Sequence, residues 1–221
     1  VGTHALIQEN IEFKNLGLSI IDEQHRFGVV HRKNLIKKAK DSNVLAMTAT
    51  PIPRTLSITY YGDMDISIID ELPVHRKQVI TRIIKPERLK SVYSFIAKEI
   101  TKGRQCIIVY PLIMETEKSD LKSAIEGHKN LSENFFPQIQ VGLLYGTMKN
   151  KEKDLVMRKF TENKIQLLVS TTVVEVGIDI PNATVMMVEH ADRFGLTQLH
   201  QLRGRVGRGN EQSYCVLVQR N

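Results

Sequence analysis

Two adjacent carboxylates, Asp22 and Glu23, end the apolar run LGLSIIDEQH. In an open parallel sheet ligands gather at the carboxyl ends of strands, so acids placed there can hold a divalent cation and orient a water. Asp22 is the candidate Mg²⁺ ligand, directly or through water. Glu23 is the candidate general base for a water that attacks a phosphate. Taken alone, the pair reads better as a solvated loop, since an Asp-Glu dipeptide after a strand is common. A second run, Val44 to Met47, leads into TATPIPR, Thr48 to Arg54, which would bring hydroxyls to the same edge, with Pro51 and Pro53 blocking an early helix. Further along, Ser170, Thr171 and Thr172 follow a buried-type run, where hydroxyls and free amides can bind phosphates. Gly177 permits a close backbone approach, and Asp179 sits in a stiff Ile-Asp-Ile-Pro turn. The densest signal is HQLRGRVGRG, His200 to Gly209, in which Gly204 and Gly207 separate Arg203, Arg205 and Arg208. That pattern makes a poor helix interior and a good platform for guanidinium groups, whose planar forks grip phosphate oxygens and keep their charge. A capped turn and a solvated basic loop are the plain alternatives for these last two segments. The seven histidines show no metal-ligand spacing, and no nucleophile triad assembles from the chain.

The elements that must carry these residues alternate between short β-branched runs and helical stretches, the pattern of a parallel sheet with crossover helices. The predicted strands are Leu18 to Asp22, Val44 to Thr48, Val79 to Lys85, Gln105 to Tyr110, Gln140 to Leu144, Gln166 to Ser170, Thr184 to Val188 and Ser213 to Val218. Most are continuous apolar runs, as expected where both faces are covered. Leu89, Val92, Tyr93, Ile96 and Ile100 recur at helical spacing, and Val156 with Phe160 marks a second amphipathic helix; these read as core. The polar stretch from Glu115 to Pro137 reads as a surface helix and loop. Periodicity breaks around Asp70 to Lys77, with Pro73 and a polar patch, which places a boundary near residue 72. Residues before it supply two strands, too few for an independent sheet; those after it supply six.

The chain has 221 residues, 42% of them hydrophobic, which suits one domain plus a piece and excludes disorder as the main state. Lys and Arg number 31 against 24 Asp and Glu, so the formal charge is 31 − 24 = +7, a balance that favours a polyanionic partner. Cys106 and Cys215 lie in the apolar runs CIIVY and YCVLV, as buried thiols of a reducing compartment would. No apolar stretch reaches the ~18 residues of a membrane span, and VGTHALIQEN lacks the features of a leader, so a cytoplasmic protein is expected. The start at Val1 without methionine suggests a piece of something longer.

The pieces occur in a set order: DEQH, TATP, a strand-Ser-Thr-Thr segment with GIDIP, then QLRGRVGR. Over essentially the whole chain this order resembles superfamily-two helicases and translocases. More narrowly, IIDEQHRFGV, LAMTATPIPRTL, GDMDISIIDELP and VEVGIDIPNATVMMVEHADRFGLTQLHQLRGRVGRG are similar to the RecG family of branched-DNA translocases. Transcription-repair coupling factors share TATPIPRTL and the FGLTQLHQLRGRVGR region, but DEQH, and DELP followed by a basic residue, favour the RecG family. The resemblance implies an α/β fold: a RecA-like parallel sheet with helices on both faces, one complete motor domain over 73–221 preceded by the carboxyl-terminal part of another over 1–72. It implies ATP and Mg²⁺ as cofactors, and branched double-stranded DNA, forks and Holliday junctions, as partner in repair and recombination. A single-stranded-DNA-binding protein is a further implied partner; a membrane is not.

The same resemblance assigns residues. Asp22 and Glu23 are similar to the Walker B pair, with Gln24 and His25 completing the motif and coupling hydrolysis to domain movement. Thr48, Ala49 and Thr50 resemble the coupling motif. Gly2, Thr3 and His4 look like part of an earlier DNA-backbone motif, and Thr171 and Thr172 like a DNA-phosphate contact. Gly177 and Asp179 resemble the nucleotide-facing part of that motif. Gln201, Arg205 and Arg208 match QxxGRxGR, whose arginines reach across to nucleotide phosphates. No GxxxxGK[ST] occurs, so the phosphate-cradling Walker A loop is missing. The wedge domain and the segment after the second motor domain are missing too, and the fragment alone is expected to be inactive. A transcription-repair motor, or a non-catalytic domain that binds nucleic acid or protein, are the alternatives.

Overall fold

The computed structural model describes residues 2, 4–8, 11–23, 42–48, 65–71, 73, 76–111, 117–171 and 180–220. The chain forms two compact units, Val1–Ile68 and Ile69–Asn221. In the first, β1 (Leu18–Ile21) and β2 (Asn43–Ala46) pair in parallel, Ile21 opposite Ala46. Both strands stop short of the polar residues read into their ends, because Asp22 and Thr48 have left the ladder for the loops beyond it.

The second unit is built on β3 (Ile80–Ile84), β4 (Gln105–Val109), β5 (Val141–Leu144), β6 (Leu167–Ser170), β7 (Ala183–Val188) and β8 (Tyr214–Val218). They form one all-parallel sheet in the order β3-β8-β7-β4-β6-β5. The helices are α1 (Leu89–Thr101), α2 (Glu117–Asn130), α3 (Asn150–Thr161) and α4 (Leu196–Arg203). Every residue of β4, β6 and β7 is buried, so these strands present mostly apolar side chains to both faces, with Gln105, Ser170 and Thr184 as the buried polar exceptions. The two-residue alternation of a strand then divides the core in two. Cys106, Ile108, Leu167, Val169, Val185 and Met187 meet Val92, Tyr93, Ile96 and Ile100 of α1 on one face. Ile107, Val109, Leu168, Met186 and Val188 meet Phe160 of α3 and Leu202 of α4 on the other. Helices on both faces of a parallel sheet are therefore what the fold contains. Helix α1 ends where Gly103 takes φ +82 and its N–H donates to the Ile100 carbonyl at 2.8 Å, a glycine stop that other residues make at a cost.

One expectation needs correction. The segment from Glu115 to Pro137 is not merely a surface helix and loop: Ala124, Leu131 and Phe136 are buried, and Leu131 and Phe136 pack into the α1 face of the core. Ala124 within α2 and Leu131 and Phe136 just beyond its end are enough to seat a mostly polar helix. Both cysteines are buried, Cys106 in the central β4 and Cys215 in β8; loss of hydration pushes both thiols up, Cys215 to about 12.

At the carboxyl edge, Glu189 follows β7 with 1% of its surface exposed, and its Oε2 accepts from Arg220 Nη2 at 3.0 Å and Nε at 3.2 Å. Arg220 N–H also donates to Asp192 Oδ1 at 3.1 Å. Burial and the Glu189 carboxylate push Tyr93 up to about 12, which keeps that phenol neutral. Removing one partner of a buried pair strands the other, so Arg220→Ala is expected to destabilise the chain by about 3 kcal/mol, the low end of the usual range because Arg220 is partly solvated. Denaturant unfolding measures this. In a Glu189→Gln background the same substitution should cost much less; an equal cost there would show that charge pairing is not the cause.

Candidate functional site

The parallel pairing of β1 and β2 puts their carboxyl ends side by side, with Met47 N–H donating to the Ile21 carbonyl at 2.8 Å. Asp22, Glu23 and Thr48 therefore share one edge, as the sequence suggests. Asp22 is exposed, and its Oδ1 accepts the Glu23 N–H at 2.8 Å. Glu23 has φ +52, a left-handed backbone that costs a non-glycine residue of order 1 kcal/mol and that recurs at functional sites. This turn aims two successive carboxylates differently: Asp22 outward, Glu23 half-buried. Among the described residues no group of three or more His, Cys, Asp or Glu could hold a metal. The donor set still fits Mg²⁺ accompanying a nucleotide, because that ion commonly takes one or two protein carboxylates and completes its shell with phosphates and water. Gly2 is exposed, and His4 opens a 3₁₀ turn, His4–Ile7. Thr3, Gln24, His25, Ala49 and Thr50 lie outside the described residues, as do Thr172, Gly177 and Asp179.

In the second unit the sequence treats the segment from Ser170 to Pro181 as one motif, but the sheet separates its ends. Thr171 follows β6 and so lies at the carboxyl edge; Ile180 and Pro181 precede β7, at the amino edge. Strands of this length put those edges ~15 Å apart. Thr171 is fully buried, its N–H donates to the Leu144 carbonyl at 3.1 Å, and its Oγ1 has no hydrogen-bond partner among the described residues. Ser170 Oγ donates to the Thr171 carbonyl at 2.8 Å.

The arginine loop lies at the amino edge, because it joins the end of α4 to the start of β8. Its local cause is legible: Gln198 Oε1 accepts the Gly195 N–H at 3.1 Å to open α4, and the helix closes at Arg203 with the Gly204 N–H on the His200 carbonyl at 3.0 Å. Arg203 therefore belongs to the helix, where its Nη2 lies 3.1 Å from His200 Nδ1, while Arg205 and Arg208 belong to the loop. Three close contacts hold that loop. Val206 is fully buried in the α4 face of the core. Gly207 takes φ +77, and a Cβ there would stand 2.7 Å from Val79 Cγ2. At Gly209 a Cβ would stand 2.6 Å from the Pro181 carbonyl oxygen, so only glycine lets the loop lie against the end of the GIDIP segment. Gln201 and Arg205 are half-buried; Arg208 is exposed, with its Nε 3.4 Å from the Gly204 carbonyl. A residue the motif reading missed joins them: Arg76 Nε donates to the Gly207 carbonyl at 2.8 Å. Its only sequence signal is its place in the polar break between the two units.

Comparison with known proteins decides the family. The model for the helicase conserved C-terminal domain matches residues 85–210, from the end of β3 through the arginine loop. The chain belongs to that helicase domain family. It is also 54% identical over 218 residues to the ATP-dependent DNA helicase RecG of Thermotoga maritima, covering 99% of this chain and 28% of the relative. The RecG of Streptococcus pneumoniae is 57% identical over 218 residues, with 99% and 32% covered. A solved structure of RecG bound to a three-way DNA junction superposes with a TM-score of 0.75 at 50% identity, over 100% of this chain and 28% of that one. The RecG resemblance and the RecA-like α/β fold read from the motifs are thereby borne out. The chain spans less than a third of the length of these curated relatives. Among the described residues no helix is long and apolar enough to cross a membrane.

Proposed function

We propose that this chain is part of an ATP-dependent double-stranded DNA translocase that remodels stalled replication forks and Holliday junctions. Residues 1–72 are the end of its first RecA-like motor domain and residues 73–221 the second. The observation that carries this reading is the arginine loop, which seats Val206 in the core between Arg205 and Arg208 in sequence, and in which a Cβ at Gly207 or Gly209 would collide with Val79 or the Pro181 carbonyl. Such a platform delivers fixed positive charge to phosphate. Bound ATP with Mg²⁺ would supply the reactive phosphoanhydride. Asp22 would hold the cation, Glu23 would take a proton from the attacking water, and Arg205 with Arg208 would brace the charge that develops. Gln201, Gly177 and Asp179 contribute to the nucleotide side; Gly2, Thr3, His4, Thr171 and Thr172 contribute to the DNA backbone, the orphaned Thr171 hydroxyl being one that a phosphate oxygen would satisfy. Gln24 and His25, with Thr48, Ala49 and Thr50, couple the two. The protein works in the cytoplasm, and a single-stranded-DNA-binding protein is a further partner.

ATPase measurement on the full-length parent, with and without forked DNA, tests the proposal: hydrolysis should rise sharply with the fork, and a parent that hydrolyses nothing would sink it. These 221 residues alone should show no detectable hydrolysis, since they contain no GxxxxGK[ST] loop of amides and lysine to grip the phosphates. Their DNA binding should be weak, with log affinity falling against log salt by roughly 0.9 for each phosphate contact, and with little preference for a fork over a duplex. Robust ATPase from the fragment would show that the phosphate-gripping element lies within it.

A further inference from the structure

We propose that Arg76 is a positioning residue for the arginine loop, acting through the Gly207 carbonyl to place the Arg208 Cα. The inference rests on the hydrolytic role proposed for that loop. Arg76 lies in the segment that opens the second unit, just before β3, and is 131 positions from its acceptor. Its backbone is set by a turn in which the Arg76 N–H donates to the Pro73 carbonyl at 2.8 Å. Its side chain is half-buried, and Nε reaches Gly207 O at 2.8 Å.

The geometry gives this contact leverage. A peptide unit is planar, so the Gly207 carbonyl and the Arg208 N and Cα share one rigid plane. Holding the oxygen holds the plane that ends at the Arg208 Cα, so the point from which that side chain departs is placed and its direction is left to a single backbone torsion. Gly207 needs such a restraint, because a glycine at φ +77 has wide backbone freedom and no side chain of its own to anchor it. Val79, three residues after Arg76, fills the space where a Cβ would stand, so the same segment restrains the glycine from a second side. A charged donor to a neutral carbonyl is among the stronger hydrogen bonds, which suits a clamp on the left-handed glycine of a loop held elsewhere by packing. The segment that begins the unit and the loop that carries the arginines are thus mechanically joined.

Two measurements on the full-length parent test this, using Arg76→Ala and Arg76→Lys. The first is hydrogen exchange of the amides of residues 205–208 without nucleotide. It should speed up at least several-fold in the alanine variant and return toward wild type in the lysine variant, whose ammonium can reach the same carbonyl. The second is DNA-stimulated turnover. For Arg76→Ala, kcat should fall roughly 10- to 100-fold, as misplacement by about an ångström does, while KM for ATP, DNA affinity and the stoichiometry of ADP binding stay within twofold. Unchanged exchange with kcat within twofold of wild type would overturn the proposal. So would a kcat loss matched by an equal loss of ADP-binding sites, the mark of a residue needed only for folding. If the wild-type parent itself fails to hydrolyse ATP, the functional reading falls, and the exchange result still decides whether Arg76 holds the loop.

Discussion

Arg205→Ala or Arg208→Ala in the full-length parent abolishes DNA-stimulated ATP hydrolysis, with kcat expected to fall about 10³- to 10⁵-fold, while DNA affinity changes little. Phosphoryl transfer offers a protein little covalent work. Its contribution is to place charge where the transition state develops it, and charge already in place costs no reorganisation when the bond breaks. The loop is held in advance of any ligand: Val206 is buried in the core, and a Cβ at Gly207 or Gly209 would collide with Val79 or the Pro181 carbonyl. The two arginines differ in setting. Arg205 is half-buried and Arg208 exposed, so Arg208→Lys should retain more activity than Arg205→Lys, since a flexible ammonium can still reach phosphate from a solvated position. Steady-state ATPase assays with saturating DNA and a parallel DNA-binding titration measure the effect. Wild-type turnover in both alanine variants would remove the assignment.

Glu23→Gln should trap the parent with ATP bound, lowering turnover about 10²- to 10⁴-fold, because the amide keeps the shape and hydrogen bonding of the carboxylate but takes no proton from water. The backbone argues for the choice of Glu23 over its neighbour. Asp22 is the exposed carboxylate, its Oδ1 accepting the Glu23 N–H, a setting for a hydrated cation, whereas Glu23 follows at a left-handed turn and is half-buried. Asp22→Asn should accordingly weaken binding of Mg-ATP rather than trap it. A filter assay for retained nucleotide distinguishes the two outcomes, and wild-type hydrolysis by Glu23→Gln would move the base elsewhere.

Strand positions are the most legible part of this fold in the sequence, because the central strands are covered on both faces and are apolar save for Gln105, Ser170 and Thr184. Runs such as CIIVY and ATVMMV cannot be solvated anywhere else. The stretch after Glu115 is less legible: its polar majority hides Ala124, Leu131 and Phe136, of which the first two are at helical spacing and the third lies beyond the helix and breaks that spacing. Motif order nominates residues for chemistry but does not say where they stand. Thr171 and Pro181 are ten residues apart yet sit at opposite edges, a consequence of parallel pairing that local sequence does not state. Asp22, Glu23 and Thr48 do meet at one edge, because two parallel strands leave their carboxyl ends no alternative. The contact of Arg76 with Gly207 has no residue-type signature at all, since its acceptor is a backbone oxygen that any residue would offer. Glu189 looks like an ordinary surface acid until β7 and Arg220 enclose it.

The two cysteines give the molecule a built-in clock for its own opening. Cys106 and Cys215 are 0% and 1% exposed, and both are held as thiols rather than thiolates. A solution alkylating reagent can therefore reach either sulfur only when the surrounding sheet parts, so its rate of capture counts openings and not surface collisions. One sulfur sits on a strand flanked by β6 and β7, the other on the strand between β7 and the edge strand β3. Fraying from the β3 side releases Cys215 first, while Cys106 waits for the centre of the sheet to come apart. The ratio of the two labelling rates thus reads directly whether this sheet unzips from one margin or comes undone as a single piece.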